Sequence, residues 1–162
     1  MSDTIYVTYS HIDYSPAYHK AIVFVRTDSS NQITDIKVIE GEPEDTGHDI
    51  SNFIDDEFFT SGNEENSFGK LYVGERTGGP SDLALGREII AEGSDLSSKW
   101  SEIEQAGSDI NQEGYNYLVL YRNSNTAADD ILSRVSLPAT TEDQEGNNEI
   151  YWTPGSHSGV LS

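Results

Sequence analysis

Residues 18–25 read Tyr-His-Lys-Ala-Ile-Val-Phe-Val, the strongest strand signal in the chain. From Ala21 to Val25 the side chains are apolar on both alternating faces, which marks a central strand covered on each side. Thr27, Asp28, Ser29, Ser30, Asn31 and Gln32 follow with the composition of a hairpin turn. Ile33 to Ile39 alternates and reads as the returning strand. The 18–39 hairpin is therefore the first structural unit. Tyr115 to Tyr121 (YNYLVLY) is a second strong strand, and Lys70 to Glu75 a further one. Arg87 to Ala91 fits a short strand and a helical turn equally well.

Two stretches carry helical periodicity. Trp100, Ile103, Ala106 and Ile110 recur at spacings of three and four, predicting an amphipathic helix over 96–112. Ser94 or Asp95 serves as its N-cap and Gly114 ends it. Ala127, Ala128, Ile131, Leu132 and Val135 give a second apolar stripe, predicting a helix over 125–136 closed by Pro138. The expected fold class is α+β: an antiparallel sheet built on the 18–39 hairpin and the 115–121 strand, with two main helices packed on it. Residues 1–17 read as irregular. Residues 41–49, 61–67 and 77–80 read as loops, with Phe53, Phe58 and Phe59 capping the core from 50–60. The acidic run at 139–149 reads as a flexible loop, after which Trp152 docks the tail.

A chain of 162 residues fits one domain and needs no metal or disulfide to fold. Hydrophobic residues make up only 35%, so the aromatic 10%, nine of them Tyr, must supply much of the core area. The sign of the charge is unusual: 29 Asp plus Glu against 9 Lys plus Arg, a formal net charge of −20. Phosphate backbones are bound through clustered Lys and Arg that displace counterions. No such cluster exists here, which argues against direct nucleic-acid or anionic-membrane binding. There is no Cys, so no disulfide, thiolate metal site or cysteine nucleophile. The first nine residues lack the basic and apolar regions of a Sec signal peptide, and no window is apolar enough to span a bilayer. The expectation is a soluble protein, cytoplasmic or exported by another route.

Two residues stand out for chemistry. His19 opens the most apolar strand, and Ser124 sits where a strong strand gives way to a helix. A hydroxyl at a helix N-terminus feels the positive end of the macrodipole, and the free N–H groups there can hold an oxyanion. An imidazole in reach takes the serine proton and later returns it to a leaving group. Asn123 and Asn125 flank Ser124 and are candidates for orienting the loop or donating to the oxyanion.

The pattern of His19, Ala21, Ile22 and Val23, a returning strand, then Asn123, Ser124, Asn125 and Thr126 opening a helix resembles the circularly permuted papain-like hydrolases. These include the lecithin:retinol acyltransferase-like proteins and the PPPDE-type isopeptidases. The resemblance spans residues 18–41 and 115–137. In that family a His at a strand start is base to a Cys in an Asn-Cys pair at a helix start. It implies that His19 is the base, that Ser124 stands where the nucleophilic Cys would be, and that Glu40, near the end of the returning strand, is the third polar member. It implies a protein, peptide or lipid-like acyl substrate and no cofactor. The aromatic position after the Cys has no good match at Ala127 or Ala128. A serine hydroxyl, unlike a thiol, depends on its base in the transition state. Ser124 is thus open to three readings: a working serine nucleophile, a relic in a domain that only binds, or an inactivating substitution. Plain helix capping by Asn-Ser-Asn also accounts for these residues.

A reading from a different class rests on charge alone: a non-catalytic acidic protein that binds a cationic partner or inhibits a nucleic-acid-binding one, with affinity that falls steeply with salt. Other candidates are thinner. His11 beside Asp13 and His48 beside Asp49 lack a second His at ligand spacing, and His157 lies among small residues. The oxygen-rich runs 28–31 and 143–148 lack the spaced acids of a calcium loop. Asp55, Asp56 and Glu57 are adjacent, so they do not flank a substrate as a glycosidase pair would. No metal site is expected.

Overall fold

The computed structural model describes residues 1–11, 18–44, 69–117 and 124–140. Five strands form one antiparallel sheet: β1 (Ser2–His11), β2 (Tyr18–Thr27), β3 (Ile33–Pro43), β4 (Leu71–Thr77) and β5 (Gly86–Gly93), in the order β4-β3-β2-β1-β5. A short α1 (Pro80–Leu83) joins β4 to β5, and two longer helices follow, α2 (Ser97–Glu113) and α3 (Ser124–Arg134). The fold is α+β.

The 18–39 hairpin forms as its sequence dictates. β2 is the middle strand, with Ala21 to Val25 buried on both faces. Ile22 pairs with Ile39 and Val23 with Val38. The turn is held by Asp28, whose Oδ1 accepts from the N–H groups of Ser30 and Gln32 at 2.7 and 3.0 Å. That oxygen serves the turn.

One face of the sheet carries the helices. Ile5, Val7, Ile22, Phe24, Ile39 and Val73 meet Trp100, Ile103 and Ile110 of α2 and Ala127, Ile131 and Leu132 of α3 in a continuous core. Each fully buried Val, Ile, Leu or Phe among them stabilises by about 1.5–3 kcal/mol. The other face carries Ala21, Val23, Val25, Ile36 and Val38, with Tyr6 and Leu83 packed against them. Strand alternation sets His19 and Glu40 on this second face.

Both long helices start and stop close to where their apolar stripes begin and end. Gly114 closes α2 in the left-handed conformation at φ 68°. Its first turn is capped differently from the expectation. Leu96 occupies the N-cap, and the Asp95 carboxylate takes the Ser97 N–H at 2.9 Å.

Three expectations need correction. Of 41–49, read as loop, Gly41 to Pro43 belong to β3. Residues 1–17 are not all irregular: Ser2–His11 is a ten-residue strand next to β2. Its inward residues Ile5, Val7 and Tyr9 alternate with Thr and Tyr, which suit a pleated surface. In the sheet the hairpin lies between β1, beside β2, and β4, beside β3. Of the 115–121 segment, Asn116 makes an isolated bridge to Lys70 and the Tyr115 carbonyl accepts from the Leu71 N–H at 2.8 Å, while 118–121 lies outside the described residues. Residues 77–80 are only partly loop, because Pro80 starts α1. Arg87 to Ala91 resolves as strand, within β5. Of the 139–149 run, Thr140 is fully buried, and residues from 141 on lie outside the described set. So do 45–68, including the three phenylalanines and His48, and Asp13, Trp152 and His157.

Candidate active site

The first turn of α3 lies against the ends of β2 and β3. Gly41 permits this approach: a Cβ there would stand 3.0 Å from the Ala127 Cβ and 3.1 Å from the Ser124 Cα. Asn125 then fastens helix to strand. Its Oδ1 accepts from the Lys20 N–H at 2.7 Å and its Nδ2 donates to the Tyr18 carbonyl at 3.0 Å. The two residues held are the chain neighbours of His19. Beneath them the Lys20 ammonium is fully buried and bonded to Asp129 at 2.9 Å and to the Thr140 hydroxyl at 3.2 Å.

This clamp sets the imidazole of His19 beside Ser124. His19 Nδ1 lies 2.6 Å from Ser124 Oγ, across 105 residues of sequence. The other ring nitrogen, Nε2, lies 2.7 Å from Glu40 Oε2. The three residues form one line: carboxylate, imidazole, hydroxyl. Ser124 is 3% exposed, while the His19 and Glu40 side chains are 22% and 24% exposed. A carboxylate at Nε2 accepts from an N–H there, which leaves the Nδ1 lone pair to accept the serine proton.

Glu40 suits that role electrically. The hydrogen bond to His19 holds its carboxyl below the usual carboxylate range; burial opposes this, and the Arg76 guanidinium at 3.0 Å adds to it. A carboxyl whose folded value is depressed contributes stability in full above its unfolded value of about 4.3, and loses it as pH falls through the lower folded value. Glu40→Gln is therefore expected to be less stable than the parent at pH 7, with the gap closing at the acid end. Urea midpoints of the two proteins at stepped pH between 7 and 2 check this. A gap that stays constant down to the lowest pH would contradict it.

Tyr117 reaches the same hydroxyl from the core. Burial pushes its phenol up to about 12, with hydrogen bonding to the Ser124 hydroxyl and backbone acting the other way. It stays a neutral O–H at every ordinary pH.

Among the candidates drawn from sequence, His19, Ser124 and Glu40 come together. Both ends of the Asn125 amide are engaged with β2, so this side chain fastens α3 to the strand that carries His19. Asn123 lies outside the described residues. His11 is far from this cluster in role: its ring packs edge-on to Tyr18 at 5.2 Å. No group of three or more His, Asp or Glu among the described residues could hold a metal ion.

The chain matches no protein-family model, no curated protein and no solved structure. The chemistry of the site is therefore argued from its own atoms. Arg76, Tyr117 and Lys20 had no sequence signal. Each becomes visible only when the strand register and the helix seat are known. Among the described residues no helix is long and apolar enough to cross a membrane.

Proposed function

We propose that this domain is a hydrolase or acyltransferase of the permuted papain-like type, acting on an amide or ester carbonyl through Ser124 and His19. The observation that carries the reading is the 2.6 Å approach of His19 Nδ1 to Ser124 Oγ, with the opposite nitrogen on a carboxylate. A capping serine needs no imidazole, and an imidazole placed for capping needs no carboxylate behind it.

The steps follow from the geometry. Ser124 Oγ attacks the carbonyl carbon while its proton passes to His19 Nδ1. Negative charge gathers on the carbonyl oxygen at the N-terminal end of α3. There the N–H groups of the first turn, from Ser124 and Asn125 onward, and the helix dipole stabilise it. Glu40 stabilises the imidazolium and fixes its orientation, as a triad carboxylate does. The imidazolium then gives its proton to the leaving amine or alcohol, leaving an ester on Ser124. Water completes hydrolysis, or a second nucleophile takes the acyl group. The substrate class is a protein, peptide or lipid-like acyl compound, and no cofactor enters any step.

A fluorophosphonate probe tests the nucleophile directly. The expected result is one adduct on Ser124, found by peptide mass spectrometry, and none in His19→Ala. Labelling that persists without His19, or a folded parent protein that never labels, overturns the reading.

A further inference from the structure

We infer that Arg76 is a positioning residue for the proposed base, fixing the Glu40 carboxylate so that Oε2 faces His19 Nε2. The inference rests on the reading just proposed. Glu40 divides its two oxygens: Oε2 goes to His19 at 2.7 Å and Oε1 to Arg76 Nε at 3.0 Å. A glutamate held by one end only keeps its side-chain rotors free. Held by both, its carboxylate plane is set.

The register explains why Arg76 is in reach. Glu40 pairs with Gly74, and Val38 with Arg76, so Arg76 stands diagonal to Glu40 on the same face of the sheet. Arg76 is itself held. Its Nη1 and Nη2 meet both oxygens of Asp82 at 3.1 and 2.7 Å. Asp82 also accepts from the Gly79 N–H at 2.8 Å. The turn that carries Asp82 lies flat on β3 because residue 78 has no side chain. A Cβ on Gly78 would come within 2.4 Å of the Ile36 Cγ2, and the Gly78 N–H donates to the Ile36 carbonyl at 2.8 Å. A continuous chain of contacts thus runs from the β3 backbone through Gly78, Asp82 and Arg76 to Glu40, His19 and Ser124.

Arginine is the side chain this arrangement needs. Its rigid fork sends Nε–H to one carboxylate and the paired Nη groups to another in one plane, which a single ammonium cannot reproduce. Its two acid partners also offset its charge, so the imidazole faces a carboxylate and not a bare cation.

The test uses the whole chain and two readouts. The ¹⁵N shifts of the His19 ring nitrogens at pH 8 report which one carries the proton. Steady-state turnover of a p-nitrophenyl acyl ester reports kcat and KM. In the parent protein Nε2 is expected to be protonated and Nδ1 bare. In Arg76→Met the tautomers become mixed and kcat falls about tenfold with KM unchanged, a loss of about 1.4 kcal/mol in barrier terms. Arg76→Lys recovers only part, and Asp82→Asn, which leaves the arginine in place, lies between. A folded Arg76→Met protein with the parent tautomer and the parent kcat overturns the inference while leaving the serine mechanism standing. The tautomer change without turnover in any protein, parent included, sinks the mechanism and leaves the positioning role intact. Should Arg76→Met fail to fold, Asp82→Asn gives the same two readouts.

Discussion

Replacing Ser124 by Ala is expected to lower turnover of an activated acyl ester by about 10⁴-fold or more. His19→Ala is expected to fall by a similar factor, and the double variant by no more than either alone. Nucleophile and base act as one unit, so removing the second after the first removes nothing further. The fold should survive. Losing the Ser124 hydroxyl removes one hydrogen bond to His19 and one to Tyr117, each a matter of about 1 kcal/mol. Ser124→Cys separates the readings of the serine. A thiol beside an imidazole ionises far more readily than a hydroxyl. The cysteine variant should therefore react with iodoacetamide at residue 124, and more slowly once His19 is also replaced. Kinetics on the purified variants, with circular dichroism as a check on folding, settle the matter. Parent-like turnover in Ser124→Ala or in His19→Ala ends the enzyme reading.

What could be read from the sequence, and what could not, divides by range. His19 and Ser124 each sit at a local boundary, a strand start and a helix start, and such boundaries are written in neighbouring residues. The hairpin and both long helices announce themselves by period. Glu40 was reachable only through the resemblance, which points to the end of the returning strand; β3 itself runs past it to Pro43. β1 is easily passed over because Ser2, Asp3 and Ser10 bracket it with loop-type residues, although Ile5, Val7 and Tyr9 alternate with Thr4, Tyr6 and Thr8, which suit a pleated surface. Its strand character comes from pairing with β2 on one side and β5 on the other. Arg76 was hidden for a related reason. An arginine amid a short strand is ordinary until the register sets it diagonal to one particular glutamate. The buried Lys20 runs against expectation for a strand residue, and the arrival of Asp129 and Thr140 helps make its position tolerable.

Asn125 fastens α3 to β2 across 105 and 107 residues of sequence, and its removal is the second large effect. Asn125→Ala takes partners from the Lys20 N–H and the Tyr18 carbonyl, both at the buried junction of β2 and α3. An N–H or carbonyl that loses a buried partner costs about 1–3 kcal/mol, so the pair is expected to cost about 2–6 kcal/mol. Urea unfolding should show the midpoint falling with the slope unchanged. Asn125→Asp keeps the acceptor for Lys20 but sets a carboxylate oxygen against the Tyr18 carbonyl at a buried position, and should cost at least as much. Turnover should fall with it, because the clamp holds the residues on either side of His19. A displacement of about 1 Å between base and nucleophile can cost about 100-fold. The fall should be in kcat, with Ser124, His19 and Glu40 all still present. An Asn125→Ala protein with the parent midpoint would mean that something other than this amide seats α3 on β2. A shifted midpoint with parent turnover would mean that the 2.6 Å contact survives without the clamp, and that Gly41 and the packing of Ala127 suffice to hold it.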